Sequence, residues 1–125
     1  MNLVSIRLIT DNVASLASFY ERVTGGAAVH LNEHFAEVRT QVGTLAIGST
    51  ATVALFGPGS ARPADNHTAI IEFLVDDVDA EYLKLRDWIT TFVNEPKTMP
   101  WGNRSLLFRD PDGNLVNLFT PGHRR

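Results

Sequence analysis

The pattern of apolar and polar residues in the first half of the chain predicts a strand, a helix and then further strands. Aliphatic and polar residues alternate over residues 2–10, as they do in a half-buried strand. Asp11 and Asn12 can cap a helix, and apolar residues at helical spacing follow them up to Gly25 and Gly26, which predict its end. The strands predicted after this helix cover residues 27–31, 35–40 and 50–56, with a break or a short strand at 43–48.

The second half of the chain repeats this order after a linker. Residues 58–67 are rich in proline, glycine and polar residues, a composition typical of loops. Residues 68–75 predict a strand, and Asp76 and Asp77 favour a helix start because the positive end of a helix attracts negative charge. The remaining predicted elements are a short strand at 91–94, a loop at 95–102, and two strands joined by a turn at 110–113.

Two local matches between the halves indicate an internal duplication. Residues 53–59 (VALFGPG) and 116–122 (VNLFTPG) agree at five of seven positions, and LITDNV from Leu8 resembles LVDDVD from Leu74. The residue pattern of each half therefore predicts a strand, a helix and then three strands. We expect a single domain over residues 1–125, in which residues 1–57 form one βαβββ module, residues 58–67 a linker and residues 68–120 a second module.

Composition and charge narrow the classes of function. The 125 residues suffice for one domain with a core, and 44% hydrophobic with 20% charged residues is typical of a globular protein. A net charge of -3 offers no basic surface for nucleic acid. The lack of cysteine excludes disulfides, thiolate metal sites and cysteine nucleophiles. No apolar run approaches the roughly 20 residues of a membrane span, and no secretory signal is visible, so we expect a cytoplasmic protein without membrane partners.

The turn in the second half carries the most specific motif. Residues 109–114 (RDPDGN) precede a strand. Asp11 accompanies the pair Phe19 and Tyr20 of the first predicted helix, and residues 76–77, both aspartates, precede the second helix. This set resembles the vicinal oxygen chelate superfamily, which includes glyoxalase I, extradiol dioxygenases, and fosfomycin and bleomycin resistance proteins. The resemblance implies an α+β fold in which two βαβββ modules of one chain form a curved sheet around a cleft, and it implies a homodimer.

The same resemblance implies where a metal would be held. Metal-using relatives carry one ligand on the first and one on the last strand of each module, and these ligands hold a divalent ion with positions open for substrate oxygens. Carried onto this chain, the four positions are Val4, Ala54, Ile70 and Asn117. None is His, Asp or Glu. We therefore expect a metal-free branch of the family, with no metal, no cofactor and no catalytic residue of the usual type.

Because side chains alternate along a strand, the four positions implied by the resemblance also imply which residues face the cleft. Val4, Ile6 and Leu8 line one wall. The ligand-binding residues that we predict are Trp101, Glu72, Asn117, Asn103, Ser105, Leu107, Phe56 and Phe35. A mostly apolar surface with a few polar groups suits a small organic ligand.

Two of these residues have alternative roles. Glu72 stands in an apolar run, and a buried carboxylate is costly unless it is paired. It either binds a cationic group of a ligand or pairs with an arginine such as Arg7 or Arg104. Trp101 lies in the predicted loop, where it either stacks on a flat ligand or closes the core.

Three functions follow from this set of residues. The first is a metal-free binding protein of the bleomycin resistance type, which would sequester an antibiotic or a toxic metabolite. The second is a lyase, isomerase or dioxygenase with a non-standard site, in which Glu72, His34 or His67 acts as base or ligand. The third is a dimeric accessory module that binds no ligand.

Overall fold

The computed structural model describes residues 1–122, and the chain divides into two compact units. The first is Met1–Asp65 and the second begins at Asn66. Residues 123–125 of the predicted domain lie outside the described residues. The first unit contains β1 (Ser5–Thr10), α1 (Val13–Thr24), β2 (Val29–Asn32), β3 (Phe35–Arg39), β4 (Thr44–Ser49) and α2 (Thr50–Ala54). The second contains β5 (Ile70–Leu74), α3 (Val78–Leu85), β6 (Lys97–Thr98), β7 (Arg104–Arg109) and β8 (Leu115–Thr120).

Each unit holds one four-stranded sheet, and the two sheets share one topology. The strand orders are β1-β4-β3-β2 and β5-β8-β7-β6. In each sheet the first strand pairs in parallel with the last strand, and the other neighbours are antiparallel. This arrangement confirms the predicted α+β class with two βαβββ modules in one chain.

The helix that follows the first strand of each sheet is capped as predicted. The side chain of Asn12 accepts a hydrogen bond from the Ser15 amide at 3.0 Å, and that of Asp77 accepts one from the Ala80 amide at 3.1 Å. Each cap satisfies an amide that has no partner within its helix. Gly25 ends α1 in the left-handed conformation, at φ 77°, which glycine adopts without a steric penalty.

Each sheet buries one face against its helix. In the first unit α1 packs on β3 and β4, and Tyr20, Val38 and Ile47 are at most 2% exposed. In the second unit α3 packs on β7 and β8, where Phe108 and Leu118 are at most 1% exposed. We call the opposite side of each sheet its distal face. The first distal face comprises Ser5, Arg7, Ile9, Phe35, Glu37, Arg39, Thr44, Ala46 and Gly48. The second comprises Ile70, Glu72, Leu74, Ser105, Leu107, Arg109, Leu115, Asn117 and Phe119.

The strand predicted at residues 50–56 is wrong, and the break or short strand at 43–48 is the central strand β4. Residues 50–54 form the short helix α2 instead. Ser49 starts this helix because its side chain accepts a hydrogen bond from the Ala51 amide at 3.2 Å, which outweighs the strand propensity of the threonines and valine that follow. The matching segments 53–59 and 116–122 therefore begin in a helix and in a strand, respectively, and they are not structurally equivalent.

Two further boundaries differ from the predictions. Phe92, in the predicted strand at 91–94, forms only an isolated bridge to Phe108, and the edge strand β6 lies in the predicted loop. β1 begins at Ser5 rather than at residue 2. Among residues 1–122, no helix is both long enough and apolar enough to cross a lipid bilayer.

Candidate functional site

The second distal face centres on a carboxylate and a carboxamide. Glu72 on β5 lies beside Asn117 on β8, and the Asn117 amide nitrogen donates to Glu72 Oε2 at 2.9 Å. Asn117 Oδ1 is buried and has no hydrogen-bond partner. A buried acceptor left unpaired costs about 1–3 kcal/mol. This atom is therefore a site where a bound donor would stabilise the protein.

Apolar side chains surround this pair. Ile70 and Leu74 flank Glu72 on β5 and are 46% and 68% exposed. Leu107 lies opposite Asn117 on β7 and is half-buried. Ser105, the next distal-face residue on β7, is 5% exposed and offers little surface. The structure thus brings together four predicted site residues, Glu72, Asn117, Leu107 and Ser105, on one sheet face.

The other two predicted residues of the second unit lie in the turn between β6 and β7. Asn103 is part of the turn structure, since its carbonyl oxygen accepts from the Met99 amide at 2.7 Å and its side chain accepts from the Gly122 amide at 3.3 Å. Trp101, at the tip, is 69% exposed. It therefore does not close the core of its unit, and stacking on a ligand stays its predicted role.

Arg104, one of the two arginines expected to pair with Glu72, pairs with another acid. Arg104 forms a two-pronged ion pair with Asp79 at the start of α3, with both N–O distances 2.8 Å. The hydrogen bond from Arg104 lowers the pKa of the Asp79 carboxyl below its ordinary value. Glu72 instead has Asn117 as its hydrogen-bond partner.

On the first distal face, Phe35 and Phe56 are brought together by Arg7. The Arg7 guanidinium carbon lies 4.9 Å from the centroid of the Phe35 ring and 5.7 Å from that of Phe56. Phe56 follows α2 and is 79% exposed. From the sequence, Arg7 is expected only as a partner for Glu72. Its alternation with apolar residues on β1 was the signal that it shares a face with Phe35.

The predicted wall of Val4, Ile6 and Leu8 is wrong by one residue. Leu8 is 8% exposed and belongs to the core, on the side of the sheet opposite Arg7. The sequence match equated Asp11 with Asp77, whereas the helix caps show that Asn12 corresponds to Asp77. A shift of one residue moves every side chain of a strand to the other face.

The corrected register changes two of the four positions implied for metal ligands. Ser5 replaces Val4, and Ala46 replaces Ala54, which lies in α2. With Ile70 and Asn117, the set contains no imidazole or carboxylate. Within residues 1–122, no group of three or more His, Asp or Glu side chains is placed to hold a metal ion. Because Zn²⁺ takes four ligands and Mg²⁺ or Ca²⁺ six or more, the residues at these positions do not fit the family's divalent metal.

The histidines of the alternative enzyme hypothesis lie at other places. His34 Nδ1 lies 2.9 Å from Ser49 Oγ, and its side chain is half exposed. His67 lines a cavity of about 170 Å³ beside the first residues of β5 and β8. Small-molecule sites usually measure roughly 300–1,000 Å³, so this cavity is too small to be the main site.

Comparison with known proteins places the chain in a family. The model of the glyoxalase/bleomycin resistance protein/dioxygenase superfamily matches residues 2–118. The chain is 28% identical over 118 residues to the uncharacterized protein YwbC of Bacillus subtilis (strain 168), with 90% of each chain covered.

Solved structures share the fold. A glyoxalase/bleomycin resistance protein/dioxygenase family enzyme from Burkholderia phytofirmans PsJN superposes with a TM-score of 0.84 at 16% identity, covering 96% of this chain and 98% of that one. A glyoxalase/bleomycin resistance protein/dioxygenase from Nocardioides gives 0.80 at 20% identity, covering 100% and 86%. Because the family model spans nearly the whole chain and the two βαβββ modules agree with it, this protein belongs to the glyoxalase/bleomycin resistance protein/dioxygenase superfamily.

Proposed function

We propose that this protein binds a small organic molecule on the second distal face and does so without a metal ion. The observation that carries the proposal is the pair of Glu72 and Asn117, with the orphaned acceptor Asn117 Oδ1, among exposed apolar residues. Sites for organic ligands combine an apolar lining with a few polar groups that fix orientation.

The chemistry of the pair favours a ligand that donates hydrogen bonds. Glu72 accepts one bond from Asn117 and is otherwise exposed, so its carboxylate can accept further donors or a cationic group. The apolar body of the ligand would lie against Ile70, Leu74 and Leu107. Sequestration of an antibiotic or toxic metabolite by a homodimer is the role that we propose, and it is supported by the bleomycin resistance proteins that the family's name includes.

A ligand screen by thermal shift tests this proposal. A ligand present at 100 times its dissociation constant adds about 2.7 kcal/mol of stability, so amine-bearing aromatic compounds that bind should raise the unfolding temperature. The variant Glu72→Gln keeps the shape of the side chain and removes the charge, and it should reduce the shift. Asp87→Asn is the matched control, because Asp87 is an exposed acid of the same unit that lies outside this face.

Two results would contradict the proposal. One is a broad panel in which no compound raises the unfolding temperature of the wild-type protein. The other is a stoichiometric transition metal in protein purified without chelator, measured by elemental analysis, because a bound metal means that the metal-free description is wrong.

A further inference from the structure

Arg7 lies on the first distal face, and none of the residues of the proposed function lies on that face. Arg7 is exposed on β1, opposite the small residue Ala46 of β4. Its guanidinium lies 4.9 Å from the Phe35 centroid and 5.7 Å from the Phe56 centroid. Two rings within about 6 Å of the charge attract it through their negative faces and hold the side chain in place.

The positive charge of Arg7 is not neutralised by a carboxylate among the described residues. The acid on the same sheet face is Glu37, and both of its contacts go to Arg39, with Nε 2.9 Å and the terminal nitrogen 2.8 Å from Glu37 Oε1. Arg7 itself has no hydrogen bond or ion pair within residues 1–122. The face therefore presents one paired arginine and one arginine whose hydrogen-bonding capacity is unused.

The donors of Arg7 are available to a ligand. Its guanidinium carries five N–H groups, and none has a hydrogen-bond partner within residues 1–122. Those groups match the two oxygens of a carboxylate. Gly48 lies beside the stem of the side chain, where an added Cβ would stand 3.4 Å from Arg7 Cδ. The glycine thus leaves space beside the stem of Arg7.

We propose that Arg7, Phe35 and Phe56 form a binding site for an organic anion, a carboxylate carried on a flat apolar body. The guanidinium binds the carboxylate through two parallel hydrogen bonds. The ring of Phe56, which is 79% exposed, covers the apolar body and shields the ion pair from water.

A matched pair of ligands tests the site by titration calorimetry. We expect 2-naphthoate to bind the full-length protein at least about tenfold more tightly than neutral 2-naphthamide, because a hydrogen bond to a charged group contributes that much. Arg7→Gln should remove this preference. Arg7→Lys should retain part of it, since lysine keeps the charge and loses the planar fork. Arg86→Gln is the control, because Arg86 is an exposed arginine at the end of α3 in the other unit.

Phe56→Ala provides a test that does not depend on the stability of the Arg7 variants. Because Phe56 is largely exposed, this variant should fold and should bind both ligands more weakly. The proposal is overturned if the wild-type protein shows no preference for 2-naphthoate, or if Arg7→Gln or Phe56→Ala binds it as the wild type does. The proposed function is tested with amine-bearing compounds and Glu72→Gln, and this site with 2-naphthoate and Arg7→Gln, so the two proposals can fail independently.

Discussion

The two units have the same strand order and the same helix position, which we call their shared frame. They differ in the side chains on their distal faces. Arg7 and Glu72 each precede their helix cap by five residues, and each lies beside the central strand of its sheet. Yet Arg7 is a cation held by two aromatic rings, whereas Glu72 is an anion bound to a carboxamide. The same strand pairing is therefore compatible with distal faces of different charge and chemistry.

The units also differ after their central strands. Gly48 and Phe119 are equivalent, since each pairs with the residue three positions before the helix cap. α2 packs against β4 and β1 in the first unit, and a Cβ built on Gly48 would lie 2.7 Å from Thr52 Oγ1. Phe119 carries a large side chain at the corresponding position. A short helix thus dictates glycine in one unit where the other has room for an aromatic residue.

The largest expected effect tests whether the frame is shared. Ile47 and Leu118 are equivalent core residues, 0% and 1% exposed. Replacing either by alanine should lower the free energy of unfolding by about 2–5 kcal/mol, because it leaves a cavity. Urea unfolding followed by circular dichroism measures this. Ile47→Val, the conservative control, should cost about 0.5–1.5 kcal/mol. A loss below 1 kcal/mol at only one of the two alanine variants would mean that the cores are not equivalent.

An intermediate effect tests the difference after the central strands. Gly48→Ala should destabilise the protein by about 1–3 kcal/mol, since the new methyl group forces the Thr52 hydroxyl away. In doing so it disrupts the bond from Thr52 Oγ1 to the Ser49 carbonyl. Adding Thr52→Ala should recover part of the loss, measured by the same urea titration. Gly57→Ala is the control because nothing lies within 4 Å of its added Cβ. Equal stabilities for Gly48→Ala and Gly57→Ala would show that α2 does not restrict this position.

The smallest effect concerns an ion pair that only the second unit contains. Asp79 in the first turn of α3 binds Arg104, whereas the first unit has Ala14 at the corresponding helix position. The pKa of Asp79 is lowered by the Arg104 hydrogen bond, so its stabilising effect is present above the ordinary aspartate pKa and disappears as the pH falls through the lowered value. Asp79→Asn should therefore be slightly less stable than the wild type at pH 7, and this difference should shrink as the pH falls below the ordinary aspartate pKa. A difference that did not change with pH would have another origin. Since the side chains of Arg104 and Asp79 keep 39% and 56% of their surface exposed, the effect should be small.

Strong local signals made much of the frame predictable. The capped helices and the turn after β7 follow the expected pattern, and in that turn Asp110 accepts from the Asp112 and Asn114 amides at 2.9 Å. The strand β4 was not predicted with certainty because Gly43 and Gly48 at its ends resemble turn residues. Its register comes from pairing with β1 and β3, which no local pattern reports.

The shared face of the predicted site residues was predictable in the second unit and only partly so in the first. The common face of Glu72, Asn117 and Leu107 follows from the ligand positions that the resemblance implies, and it agrees with the sheet. In the first unit, Asp11 rather than Asn12 was matched to Asp77, which assigned the side chains of β1 to the wrong faces of the sheet. Arg7 was therefore not predicted to lie on the distal face. The contact between Arg7 and Phe56 depends on α2, whose sequence is rich in residues with strand propensity.

Asn66 has a consequence for how the chain tolerates changes in length. Its amide nitrogen donates to the Ala69 carbonyl and to Asn114 Oδ1, both at 3.1 Å, and its Oδ1 accepts from the Ala69 amide at 3.0 Å. These bonds connect the entry into β5 to the turn between β7 and β8. Residues inserted or removed before Asn66 would change only the connecting segment and would leave the start of β5 in place. This segment should therefore accept an inserted sequence without disturbing the strand that follows.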